Sequence, residues 1–298
     1  MLCALDGKAA DEYNDNRKRG SDMTQNERLD YLLDAFRLDA GEDWDFPAPK
    51  NTEEKRRLLR GMMNVRMPRP MAEETLAVQD AYLLRRYEER GIVRAEKLPS
   101  VRDLGGTQPE DERMALWQGD ITLLAADAIV NAANSQMLGC FVPCHSCIDN
   151  CIHTYAGVQL RADCCRQMEA LRRRYGRNYE QPTAIPMLTP GYNLPAKHVI
   201  HIVGPIVEER LTPKLEADLA ACYRNTLDLC EEKGLHSVAF CCISTGVFRF
   251  PKERAAEIAV STVRAWLAEY AGPLERIIFT VHGEQNRRIY EQNLYGRD

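Results

Sequence analysis

The apolar positions of this chain fall into two regimes. Over residues 24–95 they recur at helical spacing. In "TQNERLDYLLDAFRLD", Leu29, Leu32, Leu33 and Phe36 mark one face of a helix, and Thr24 followed by Glu27 has the form of a capping box. The acidic, proline-containing run "GEDWDFPAPKN" ends it. A second helix is expected over "TEEKRRLLRGMMNVR", with Thr52 at its start, and "MPRP" breaks it; a third is expected over "MAEETLAVQDAYLLRRYEERGI". No motif here carries obvious chemistry, so the region reads as a helical extension whose default role is support or interaction.

After the linker "LPSVRDLGGTQPEDER" the pattern changes. "MALWQG" and "DAIVNAA" read as strands, 147–175 as one long helix, "HVIHIVG" as a strand and 212–233 as a helix. "SVAFCCIS" is again a strand, 251–270 a helix, "RIIFTVH" a strand and 284–293 a helix. This alternation predicts an α/β fold with a largely parallel sheet. Such sheets bind ligands at the carboxyl ends of their strands, which brings three loops to one rim: those after "IVNAAN", "CCISTG" and "FTVHGE". The expected division is a disordered polar tail over 1–22, the helical extension and linker over 23–112, and the α/β domain over 113–298.

Charge and cysteine content narrow the partners. The net charge of the 298 residues is −5, so no overall basic field recruits nucleic acid or an anionic membrane. An anionic ligand must be held locally, by backbone amides or a metal. No apolar run approaches the ~20 residues that span a bilayer. The 11 cysteines are an odd number in a long chain whose first residues lack a secretory apolar segment. The expectation is a cytoplasmic protein with reduced thiols, not a disulfide framework. Cys222, Cys230, Cys241 and Cys242 lie in apolar or helical stretches and read as core filler.

Three loops carry candidate chemistry. In "STGVFRFP" a glycine between strand and helix lets a phosphate approach the backbone, and Phe248 could wall off a ribose. In "QGDIT", Asp120 could accept from an exocyclic amine; in "NAAN", Asn131 and Asn134 offer carboxamides suited to ribose hydroxyls. Each alone reads equally as a turn or a cap. Together, in this order, they resemble the macrodomain family over 114–294. The resemblance implies a three-layer α/β/α fold with a mixed, largely parallel sheet, and ADP-ribose as ligand. It implies Asp120 at the adenine amine with Ile121 beside it, and Ser244, Thr245, Gly246, Val247 and Phe248 around the diphosphate. Asn134 would lie at the distal ribose.

In the hydrolytic MacroD-like branch a glycine-rich loop precedes a helix, as in "GGGGVDGAIHRAAG". The matching stretch here is "GCFVPCHSCIDNCIHTYAG". Asp149, Ile152, His153, Ala156 and Gly157 fall in place, so Asp149 matches the aspartate that acts on the distal ribose, with Ile148 and Asn150 as neighbours in the ligand set. The glycine run is replaced by a Cys/His segment. That departure resembles the zinc-containing macrodomains of microbes, protein-ADP-ribose hydrolases that also carry a helical N-terminal extension. Some are partnered with a sirtuin-type ADP-ribosyltransferase.

The spacing C-x₄-H-x-C selects Cys140, His145 and Cys147 as zinc ligands. Three ligands leave a fourth position for water or substrate. Cys144 could replace one of them, and Cys151, one helical turn after Cys147, would close the site and make it structural. Cys144 and Cys147 also form a C-x-x-C at a helix start, the form of a redox pair. His198 and His201 read as hydrogen-bonded core residues, and His153 as a partner of Asp149. The function expected is zinc-dependent removal of mono-ADP-ribose from protein side chains, with Asp149 as general base, Asn134 beside it and ADP-ribose as product. A non-catalytic ADP-ribose reader with a structural zinc is the alternative. A plain zinc-stabilised interaction protein is the third reading, and the intact ligand loops argue against it.

Overall fold

The computed structural model describes residues 22–41, 48–270 and 272–296. The tail expected over 1–22 lies outside them except for Asp22, as does most of the break over 41–51.

Among the described residues three helices form the extension: α1 (Gln25–Ala40), α2 (Thr52–Val65) and α3 (Glu73–Arg90). The capping box of α1 is present, with Thr24 accepting from the Glu27 amide. The cap of α2 is Asn51, not Thr52; the Asn51 carboxamide accepts from the Glu54 amide at 2.9 Å. An asparagine one residue upstream reaches the orphan N–H that Thr52, already helical, cannot. The apolar faces, with Leu29, Leu32, Phe36, Leu59, Met62 and Val78, close into a core of their own that Val158 of the following domain joins.

Among the described residues eight strands follow: β1 (Val93–Arg94), β2 (Met114–Gln118), β3 (Leu124–Ala125), β4 (Ala128–Ala133), β5 (Met187–Pro190), β6 (His198–Val203), β7 (Ser237–Phe240) and β8 (Arg276–Val281). The main sheet has the order β2-β8-β7-β4-β6-β5. All its pairs are parallel except β5 with β6, which gives the sheet its mixed character. β1 and β3 make a separate two-residue parallel pair.

Successive strand residues feed opposite faces, as the period of two requires. Met114, Val130, Ile200 and Ile277 pack with α6 (Pro213–Glu232), α7 (Lys252–Glu269) and α8 (Glu284–Tyr295) through Leu219, Tyr223, Val263, Trp266 and Tyr290. Ala115, Ile129, Val199 and Ile278 pack on the other face with α4 (Ile148–Ala156) and α5 (Val158–Tyr175). The result is three layers, α/β/α.

The helix expected over 147–175 is two helices. Gly157 separates them at φ +92°, and a Cβ there would meet Gln159 and Gln79 side-chain atoms at 2.6 Å. The linker is packed rather than loose. Val101 is fully buried, and Asp111, also buried, accepts from Arg264 at 2.8 Å. The extension joins the domain through Tyr87, whose hydroxyl donates to the Tyr155 carbonyl at 2.9 Å. Arg161 of α5 ties it further, donating to the carbonyls of Met63, Asn64 and Arg66 on one side and Leu138 on the other. Among the described residues no helix is long and apolar enough to cross a membrane.

Candidate functional site

A cleft of about 700 Å³ opens at the carboxyl ends of the parallel strands. That volume suits a nucleotide-sized ligand. Residues from all three expected loops line it, including Asp120 and Ile121, Asn134, Gly246 to Phe248, and His282.

At one end Asp120 caps the short turn that follows β2. One oxygen accepts from the Thr122 amide at 3.0 Å and its hydroxyl at 2.7 Å. The other oxygen is ion-paired with Arg90, whose guanidinium lies 4.2 Å from the centre of the Tyr155 ring. Arg90 is the last residue of α3, so the extension reaches this end of the cleft. A carboxylate already bonded on both oxygens keeps lone pairs for an incoming amine.

The middle of the cleft is the turn after β7. Ser244 is buried at φ +64° and Arg249 sits at φ +58°, so the turn is bent through left-handed conformations that L-residues rarely adopt. Thr245, expected to face the diphosphate, instead donates its hydroxyl to the Cys242 carbonyl at 2.9 Å and does not line the cleft. Ser244, Gly246, Val247 and Phe248 do line it. Among the described residues no backbone carbonyl accepts from the amides of Gly246, Val247 or Phe248. Consecutive unpaired N–H groups on a strand-to-helix turn form an anion nest. Cys241 and Cys242, expected as core filler, are half-buried and form part of the floor. Cys222 and Cys230 are fully buried, as filler should be.

The far end holds Asp149, in the first turn of α4 and only 5% exposed. Asn131 of β4 donates to its Oδ1 at 2.7 Å. Asn134 donates to Oδ2 at 3.4 Å and to the Gly139 carbonyl at 3.2 Å. His153 Nε2 stands 3.5 Å from Oδ1, on the same side as expected. Burial pushes the carboxyl up to about 6, while the Asn131 hydrogen bond and the charge of Arg161 oppose the rise. The carboxylate is therefore fixed from below by two carboxamides and open to the cleft above. Asn150, expected as a cleft residue, is fully buried beneath the loop, with its amide on the Val142 carbonyl at 2.9 Å. Ile148 lines the cleft.

Beside Asp149 the donor atoms of Cys140, His145 and Cys147 all lie within 4.8 Å of one another. Cys140 Sγ and His145 Nδ1 are 3.7 Å apart. Two thiols and an imidazole at this separation suit a tetrahedral zinc, whose donors stand roughly 3.5–4 Å apart. All three residues line the cleft, so a fourth position would face it. Burial, with the Cys140 thiol adding to it, pushes Cys147 up to about 12. Cys144 does not join the set. Its Sγ donates to the Arg57 carbonyl at 3.3 Å, and its amide to Asn64 at 2.9 Å. Nor does Cys151, whose Sγ meets Arg60 at 3.5 Å.

A second cluster, His153, Cys164 and His201, is buried beneath the site. Both ring nitrogens of His201 have hydrogen-bond partners. His201 Nδ1 lies 3.1 Å from the Asn131 amide, which can only donate, so the proton is on Nε2. That N–H donates to Thr189 Oγ1 at 3.0 Å. Burial holds His201 at about 3 and His153 well below the usual histidine range, so both are neutral.

Known proteins match this arrangement. The Macro domain family matches residues 130–259. The chain is 43% identical over 270 residues to a protein-ADP-ribose hydrolase of Treponema medium, covering 91% of this chain and 99% of that one. It is 42% identical to a protein-ADP-ribose hydrolase of Staphylococcus aureus, covering 91% and 96% respectively. A Trypanosoma brucei macrodomain solved in complex with ADP superposes with a TM-score of 0.59 at 30% identity, over 78% of this chain and 95% of that one. An Oceanobacillus iheyensis macrodomain with ADP superposes with a TM-score of 0.54 at 36% identity, over 63% and 93%. With relatives this similar along almost the whole sequence, and a three-layer fold whose cleft lies at the sheet's carboxyl edge, the chain belongs to the macrodomain family.

Proposed function

We propose that the protein is a zinc-dependent protein-ADP-ribose hydrolase that removes mono-ADP-ribose from modified protein side chains. The relatives named above are protein-ADP-ribose hydrolases, and the solved macrodomains hold ADP. The observation that carries the reading is the far end of the cleft, where the buried, hydrogen-bonded Asp149 stands beside three convergent metal donors.

The ligand runs the length of the cleft. Adenine sits against Asp120 and Ile121, the diphosphate on the amides of 246–248, and the distal ribose against Asn134 and Asp149. Cys140, His145 and Cys147 hold the metal. Bound there, zinc supplies Lewis-acid polarisation of a ribose or water oxygen. Asp149 takes a proton from water, or from a ribose hydroxyl, as general base. The water oxygen bonds to the anomeric carbon as the water gives up one proton, and the bond from that carbon to the protein side-chain oxygen breaks; a departing hydroxyl side chain takes that proton, whereas a carboxylate leaves without it and the proton passes to solvent. The products are free ADP-ribose and the unmodified carboxylate or hydroxyl side chain. The sirtuin-type transferase implied by the resemblance would be the source of the modified protein. A cytoplasmic location, where thiols stay reduced, is part of the reading.

The test is hydrolysis of an ADP-ribosylated protein in ¹⁸O-water, quenched at early turnover. Attack at the anomeric carbon puts the label in ADP-ribose. Label in the protein carboxylate would instead mean cleavage on the acyl side.

A further inference from the structure

The loop that carries the three donors has little structure of its own. Its only internal backbone bond within 140–147 among the described residues is His145 N–H to the Val142 carbonyl, at 3.2 Å. Cys144 is held at φ +56°, a conformation that costs free energy for a side chain with a Cβ. Something outside the loop must fix it, and that something is α2.

Arg60 extends one guanidinium nitrogen into the loop. It donates to the His145 carbonyl at 2.7 Å and to Asn150 Oδ1 at 2.8 Å. Asn150 passes the constraint on. Its amide group reaches the Val142 carbonyl at 2.9 Å and the Cys140 carbonyl at 3.4 Å, and its backbone N–H meets Cys147 Sγ at 3.4 Å. One charged group is thus tied, directly or through a single residue, to all three donor residues. One turn along α2, Asn64 accepts from the strained Cys144 amide and donates to Thr154 at 2.8 Å. No carboxylate pairs with Arg60 among the described residues; the bonds of its Nη2 go to the loop and to the first turn of α4.

We propose that Arg60 is a positioning residue for the Cys140, His145 and Cys147 donor set, so that the helical extension is a working part of the metal site. The inference rests on the zinc reading above. Residues behind metal ligands set their geometry, and losing one costs roughly 10–100-fold in metal affinity. A lysine keeps the charge, but its stem is one bond shorter and does not carry its nitrogen to the point from which Arg60 Nη2 reaches the His145 carbonyl and Asn150 Oδ1 together.

The experiment is zinc competition against a chromophoric chelator, with the full chain as wild type, R60A, R60K and R57A. Arg57 is exposed on the same helix and serves as control. Thermal midpoints of the metal-free forms are measured alongside, and the cobalt-substituted spectra are compared. Zinc affinity is expected to fall at least tenfold in R60A and R60K and to hold in R57A. The thiolate-to-cobalt band should shift in R60K, the gentler change, which keeps the test open should R60A not fold. Unchanged zinc affinity in R60K, with only a lower metal-free midpoint, would reduce Arg60 to a stabilising contact and overturn the inference. Wild-type protein that takes up no zinc would overturn the metal reading itself, and this inference with it.

Discussion

Asn131 uses both hydrogens of one carboxamide, one on Asp149 Oδ1 at 2.7 Å and the other on His201 Nδ1 at 3.1 Å. A fully buried residue of β4 thereby joins the candidate base to an imidazole in the sheet core. Asn131 is expected to orient the carboxylate without touching ligand. A hydrogen bond to a charged group contributes about 1.5–3 kcal/mol. Asn131→Ala should therefore lower single-turnover release of ADP-ribose by roughly 10–100-fold. The ADP-ribose dissociation constant, measured calorimetrically, should change far less.

The turn over 244–248 binds with its backbone, so the space above it matters more than its side chains. A Cβ on Gly246 would meet no protein atom within 4 Å. Gly246→Val should fold with an unchanged thermal midpoint, yet weaken ADP-ribose binding tenfold or more by filling the ligand's place. Val247, 72% exposed, should tolerate alanine in the same titration.

The buried histidines predict acid sensitivity. His201 is neutral when folded, at about 3, and takes a proton near 6.5 when unfolded. Its contribution is complete above about pH 6.5 and is lost as the pH falls toward 3, because only the unfolded chain then binds the proton. Denaturant midpoints of wild type should fall more steeply over that range than those of His201→Asn. Equal slopes would contradict the assignment.

Gly157→Ala tests the break between α4 and α5. The left-handed φ and the close Gln79 and Gln159 atoms should together cost about 1–2 kcal/mol or more. A lower thermal midpoint is the readout.

The strand-and-helix order, the largely parallel sheet and the cleft loops were legible because they are local; the mixed character of the sheet came only with the resemblance. Apolar runs mark β2, β4, β6, β7 and β8, and "QGDIT", "NAAN" and "STGVF" are contiguous motifs. The residues of "NAAN" alone did not separate Asn131 from Asn134; only the resemblance put Asn134 at the distal ribose. In the fold Asn131 is fully buried within β4, while Asn134 follows the last residue of that strand and lines the cleft. Arg60, Arg90 and Arg161 could not be found in this way. Each acts on residues from 23 to 98 positions distant, and an arginine on an amphipathic helix looks like solvated surface until its partners are known. The same holds for Cys144 and Cys151. Their spacing made both candidate ligands, and the contacts to Arg57 and Arg60 in α2 draw them away. β5 was missed because it is four residues long and ends in proline.

The central claim is that Asp149 and the Cys140, His145 and Cys147 set act together on the distal ribose. It is tested most directly by following ADP-ribose release from a mono-ADP-ribosylated protein, with ADP-ribose binding measured in parallel. Wild type is compared as purified, after chelation and after zinc is restored, together with zinc-loaded Asp149→Ala. The account predicts release by wild type, loss on chelation, recovery with zinc, and a loss of at least a hundredfold in Asp149→Ala, which still binds ADP-ribose. Zinc-replete wild type that binds ADP-ribose but releases none, or release that chelation and Asp149→Ala leave untouched, would contradict it.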